Sequence, residues 1–219
     1  MFLLQQPGDT RLDAIADAEA DLAYTQPVVG LTREPDFEPP RGFDRDRYGV
    51  ELGHGGEVFE RACAAIRDFS MYPPGWTRVH HPHGDRELRE NLVFVAVIRH
   101  FGFYSALPCR VAYVVDEAQA DDRADDRTDD RADDRADDRA DRHQVQQFGF
   151  ALGTLPGHAE CGEERFWVSW DRRSDAVRYE VVAYSRPRSW LARLGYPIVR
   201  GLQKRFARES LANMQRVTR

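Results

Sequence analysis

The sequence predicts an α+β fold: one domain in which a curved antiparallel sheet holds a long C-terminal helix. Three observations predict it. Short β-rich runs follow one another through the second half with only turns between them, as in "ERFWVSW" (164–170) and "AVRYEVVAYS" (176–185), joined by "DRRSD". One strongly amphipathic stretch, "EVFERACAAIRDF" (57–69), precedes them with its apolar residues at helical spacing. A last apolar stripe with basic flanks closes the chain, through Trp190, Leu194, Ile198, Val199, Leu202 and Phe206. At 219 residues the chain suits one domain with a real core.

The elements follow in order. Residues 10–22 are Ala- and Asp-rich with Leu12, Ile15 and Leu22, which predicts a short helix in an N-terminal extension spanning 1–21. "PDFEPPRGF" (35–43) reads as an extended loop and "DRYGVELG" (46–53) as a strand, with Gly53–Gly56 turning into the amphipathic helix. "MYPPGW" (71–76) breaks that helix. "NLVFVAVIRHFGFYS" (91–105), "PCRVAYVVDE" (108–117) and "QVQQFGFALGT" (144–154) are the next strands, and the single domain runs from 22 to 215. Pro187 suits a first helical turn with Ser185 as its N-cap, and Gly195 and Pro197 predict a kink.

Residues 121–142 repeat DDRA almost without change. Their 11 Asp and 6 Arg carry −5 of the chain's −6, leaving −1 for everything else. A period of four stacks Asp on Asp and Arg on Arg at i+4, and Asp is a poor interior helix former. Nothing larger than Ala is present to bury, so no gain offsets the ordering entropy. The segment 119–143 therefore reads as a disordered low-complexity insertion in a hairpin, with an acidic metal-binding tract as the alternative.

Composition excludes several classes. No apolar run approaches the ~20 residues of a membrane helix. Met1 to Leu4 has no basic flank and turns polar at Gln5, unlike a signal peptide. Cys63, Cys109 and Cys161 are odd in number and lack CxxC spacing, which suits reduced thiols in a soluble cytoplasmic protein. From Arg186 to Arg219 nine basic residues face one acid, Glu209, yet no nucleic-acid motif accompanies them. That helix either packs its stripe on the sheet or lies on a membrane surface. The chain has no GxSxG elbow, P-loop or GxGxxG, so no cofactor is expected.

Chemistry concentrates in "GTLPGHAECGEERF" (153–166). If two strands flank it, "LPGHAECG" is their connection, with Pro156-Gly157 as the turn and Gly162 at positive φ. His158 and Glu160 then lie at the tip, and Glu163 and Glu164 where the second strand begins. Three readings stay open: a turn with Glu163 and Glu164 in salt bridges to arginines such as Arg165, the mouth of a ligand site, or a metal or acid–base site. The zinc-protease spacing HExxH is absent, and His80, His81 and His83 would add nitrogens only if the fold brought them near. Cys161 beside His158 is a further nucleophile pair to weigh; Cys63 reads as packing.

Four stretches carry a resemblance: "VELGHGGEVFERACAAI", "PCRVAYVVDE", "FGFALGTLPGHAECGEERF" and "AYSRPRSWLARLGYPIVRGLQKRF". They resemble the bacterial and plant family called domain of unknown function nineteen-ninety, over about Leu22 to Leu211, with the acidic repeat as a departure. The resemblance supports the domain's boundaries and implies no chemistry. The element order is also similar to the helix-grip fold of START and polyketide-cyclase-like proteins. That likeness implies a ligand between the sheet and the C-terminal helix.

The expected ligand-binding residues are accordingly Phe166, Val168 and Trp170 on one face of their strand. Tyr179 beside them, Trp190, and the loop residues His158, Glu160, Glu163 and Glu164 complete the set. Arg165, Trp167 and Ser169 take the other face. The function expected is non-enzymatic binding of a small apolar or amphipathic ligand. The alternative is a hydrolase-like enzyme using His158, Glu160, Glu163 and Glu164, with or without a metal.

Overall fold

The computed structural model describes residues 2–34, 36–117, 145–188 and 196–219. The strands are β1 (Phe2–Leu3), β2 (Asp44–His54), β3 (Thr77–His80), β4 (Val93–His100), β5 (Phe103–Asp116), β6 (Val145–Thr154), β7 (Glu160–Asp171) and β8 (Ala176–Pro187). The helices are α1 (Asp9–Glu19), α2 (Gly56–Arg67) and α3 (Tyr196–Val217). Every strand pairing is antiparallel, in the order β2-β8-β7-β6-β5-β4-β3, and β1 adds to β5. Bulges between Glu51 and Gly53 and between Val111 and Tyr113 bend β2 and β5, the usual means of curving a sheet.

Both faces of the sheet are covered. α2 follows its periodicity, burying Phe59, Ala62, Cys63, Ala65 and Ile66 on one side. These meet Phe94, Phe148, Phe150, Phe166, Val168 and Tyr179 from the sheet and Met214 from α3 in the main core. Phe206 and Leu211 of α3 pack on the same core. The domain is thus α+β with the C-terminal helix gripped on the inner face. Across the sheet, α1 lays Leu12 and Ala16 on Val95, Val97 and Ala106. The segment from Tyr24 to Phe37, which includes a 3-10 turn at Leu31–Arg33, covers the outer face of β5 to β8.

Several boundaries differ from those the sequence predicts. The run 91–105 is cut by a turn at Phe101 and Gly102, whose φ values of 48° and 81° suit a tight hairpin. β5 then continues through Pro108, whose carbonyl still serves the ladder's edge by accepting from Leu155 N. β8 extends through Ser185 to Pro187, which pairs with Glu160, so neither residue caps or opens a helix. Of the apolar stripe, Phe206 packs inward while Ile198 is 55% exposed. Trp190, Leu191, Leu194 and Gly195 lie outside the described residues, as does the acidic repeat. The chain leaves for that repeat after Glu117 and returns at Val145, across the paired ends of β5 and β6.

Candidate functional site

β7 explains the opening motif. Pairing begins at Glu160, not at Glu163, so the connection is only residues 155–159 and the "CGEE" run lies inside a strand. Gly162 is needed for close approach, not for a left-handed turn: a Cβ there would meet the Tyr184 carbonyl and lie 2.8 Å from Ser185 Cα. In the turn, His158 N donates to the Leu155 carbonyl at 2.9 Å, and Glu160 N donates to His158 Nδ1 at 3.0 Å. Accepting through Nδ1 requires the neutral ring. Burial lowers the His158 pKa from its ordinary 6.5 to about 4.

Alternation along β7 then separates the glutamates. Glu163 points to the outer face, where Gly30 N, Thr32 N and Thr32 Oγ1 donate to its carboxylate at 2.6, 2.9 and 2.6 Å. Arg165, on the same face, donates to the Thr32 carbonyl at 2.7 Å. The two residues clamp the Leu31–Arg33 turn from both ends of its backbone. The salt bridge expected between Glu163 and a neighbouring arginine is replaced by this clamp. The cause is a segment some 130 positions away in sequence. Trp167, only 9% exposed, completes the covered outer face with Tyr113 and Ala151.

Glu160 and Glu164 point inward, beneath α3. The inner row at Glu164 reads Leu152, Glu164, Ala183 and Asp46 across four strands, and the next row toward the turn holds Gly162 and Ser185. This end of the inner face is therefore small and polar, whereas one row further Phe150, Phe166 and Val181 begin the packed core. Gln203 of α3 donates to Glu160 at 2.6 Å and to Ser185 Oγ at 3.2 Å. Arg200, one turn earlier, grips both oxygens of Asp46. Glu164 has no hydrogen-bond partner among the described residues, and neither has the Tyr72 hydroxyl. Burial, with Glu160 and Asp46 adding repulsion, raises the Glu164 pKa from 4.5 to about 8. Burial also raises Glu160 to about 7, against the opposing bond from Gln203. Tyr72 packs on Phe166 (5.9 Å between rings) and Phe206 (5.3 Å) and is raised well above 10, chiefly by burial.

The expected site residues thus divide. Glu160, Glu164 and Phe166 share the inner end, and Tyr179 backs them with its hydroxyl 2.9 Å from Ser210 Oγ. Val168 is deep core and Trp170 lies at the far end of β7, where Asp175 accepts from its indole at 3.0 Å. His158 belongs to the turn, Glu163 to the outer clamp, and Trp190 is outside the described residues. Cys161 is buried and donates to the Thr25 carbonyl at 3.1 Å, away from His158 Nδ1. His80 and His83 pair with Asp13 and Asp17 of α1. Among the described residues no group of three His, Cys, Asp or Glu side chains is placed to hold a metal. Tyr72, Asp46, Arg200 and Gln203 were not legible as site residues. Tyr72 sits in a stretch whose only sequence signal is breakage.

These features define an α+β domain whose curved sheet closes on a C-terminal helix, with a polar, acid-bearing end to the enclosed face. The chain belongs to the family described as Domain of unknown function (DUF1990), whose model matches residues 25–213. It is 30% identical to a UPF0548 protein of Deinococcus radiodurans, over 95% of this chain and 94% of that one. It is 28% identical to a UPF0548 protein of Dictyostelium discoideum, over 98% and 94%. Among solved structures it is similar to a hypothetical protein of Helicobacter pylori (TM-score 0.47, 14% identity, 81% of this chain and 88% of that one). It is also similar to Ara h 8.0201 (TM-score 0.44, 8% identity, 79% and 98%).

Proposed function

We propose that this protein binds a small amphipathic ligand between the inner face of the sheet and α3, without chemical turnover. One observation carries the reading: among the described residues Glu164 and the Tyr72 hydroxyl, both half-buried, have no hydrogen-bond partner on the inner face beside Phe166 and Phe206. A half-buried carboxyl and hydroxyl that the fold leaves without partners can give their hydrogen bonds to a ligand that displaces water. A core built for stability alone would place apolar side chains here, as it does one row away. The small side chains of Ala183 and Ser185 are half-buried beside Glu164, the aromatic rings supply an apolar wall, and the two polar groups supply orientation.

A second reading has one observation in its favour. The raised pKa values of Glu160 and Glu164 are those of carboxyls poised for acid–base work near neutrality. In that reading the pair acts without His158 and Glu163, whose polar atoms are engaged elsewhere.

Titration with the apolar dye Nile red tests the proposal. A saturable single-site rise in fluorescence is expected, lost in Ala183→Trp, which sets a large ring across the strand from Glu164, and retained in Phe101→Ser at the molecule's surface. Absence of saturable binding, or binding indifferent to Ala183→Trp, would count against it.

A further inference from the structure

Four of the most exposed apolar side chains gather at one end of the molecule. Phe101, 73% exposed, occupies the tip of the β4–β5 hairpin, and Phe103, 44% exposed, begins β5. Leu4, 77% exposed, follows Leu3, whose partner Tyr104 adjoins Phe103. Ile198 lies one helical turn before Leu202, and Leu202 shares with Phe101 the wall of a cleft of about 370 Å³. Phe101 also sits at φ 48°, a left-handed position that a turn fills more readily with Asn or Gly. The turn therefore gives no reason for an aromatic ring there.

The same cleft is basic. Arg99 and Arg205 line it with Trp76, whose indole donates to Glu209 at 2.5 Å, and Arg78 of the adjoining cleft pairs with Asp9 at 2.9 Å, so Arg99 carries the net charge. Arg205 lies 4.5 Å over the Trp76 ring and bonds Glu209. The Arg99 guanidinium has no hydrogen-bond or ion-pair partner among the described residues. The chain leaves for the acidic repeat after Glu117, at the other end of β5 from Phe103.

We propose that this end docks on an anionic lipid surface, with Phe101 and Phe103 entering the boundary with the acyl chains and Arg99 and Arg205 meeting headgroup phosphates. Exposed rings flanked by arginines match the layered chemistry of that boundary, apolar within and negative above. A second copy of the chain fits the patch less well. A two-fold contact centred on Phe101 would bring the arginines of both copies together. The docking face is separate from the enclosed face around Glu164 and stands or falls independently of it.

Flotation of the full chain with phosphatidylcholine vesicles, with and without phosphatidylserine, tests the proposal. Binding is expected to the anionic vesicles and to be weakened by salt. Phe101→Ser should lower the vesicle partition coefficient by about tenfold, the equivalent of one ring left unburied. Arg99→Gln should lower it by about fivefold, and only on anionic vesicles. Ile198→Ser, on the other element, should weaken it in the same direction, and all three variants should melt as wild type does. Failure to float with anionic vesicles at low salt would overturn the proposal. So would equal recovery on neutral vesicles, unchanged binding by Phe101→Ser, or a dimer that Phe101→Ser abolishes in place of vesicle binding.

Discussion

Glu164 is the residue at which folding and the proposed binding pull apart. Its folded pKa of about 8 lies above the ordinary 4.5. The folded chain therefore keeps a proton that the unfolded chain gives up, and the stability contributed by this group, complete below about pH 4.5, is lost as the pH rises toward 8. Glu164→Gln is expected to stabilise the fold at pH 7 by on the order of 2 kcal/mol and to change nothing at pH 4, as read from denaturant melts at the two values. His158 works in the opposite direction. Its folded pKa of about 4 lies below 6.5, so its contribution is present above 6.5 and disappears as the pH falls through 4. His158→Ala should flatten that acid limb of the stability profile while removing one hydrogen bond, about 1 kcal/mol at neutral pH. Gly162→Val should cost more than about 2 kcal/mol, through collision with the β8 backbone and not through φ. Gly162 was legible in the sequence as special, but the reason was not. A glycine before a strand and a glycine inside one look alike until the pairing register is known.

At the scale of elements, alternation told which residues of β7 share a side, because the period of two is a property of the strand itself. It did not tell that the outer side is buried as well. That burial comes from Tyr24 to Phe37, an irregular segment with no periodicity to read, folding back over Glu163 and Arg165. Glu163→Gln is expected to loosen the clamp on the Leu31–Arg33 turn and cost about 2 kcal/mol, because three donors lose a charged acceptor. Amide protection at Gly30 and Thr32 should fall in the same variant, a local reading that separates the clamp from general destabilisation. In α3 the helical stripe was legible and its boundary was not. Pro187 suits a helix start in isolation, yet the ladder with Glu160 holds it in β8. Phe206→Asp should unfold the protein, as a charge would enter the aromatic core, whereas reversing the exposed Arg208 should cost no more than about 0.5 kcal/mol.

For the whole molecule, element order was enough to foresee the α+β grip, since each element announced itself by its own period and the turns between strands were short. The polar end of the enclosed face was only half legible. Glu160 and Glu164 drew attention by composition, but Asp46, Tyr72 and Gln203 reach them from three other parts of the chain. We propose that the repeat at 121–142 is decoration on this fold, as its composition implies. Deleting it should leave one cooperative transition with a nearly unchanged midpoint, because β5 and β6 are already paired up to Asp116 and Phe148. The proposed ligand site makes the most direct demand on experiment. Native mass spectrometry of the protein purified from its host should show the polypeptide carrying an added non-protein mass. The added mass should be absent from Ala183→Trp. The bare polypeptide mass, both as purified and after incubation with a host metabolite extract, would contradict a ligand-binding face between sheet and helix.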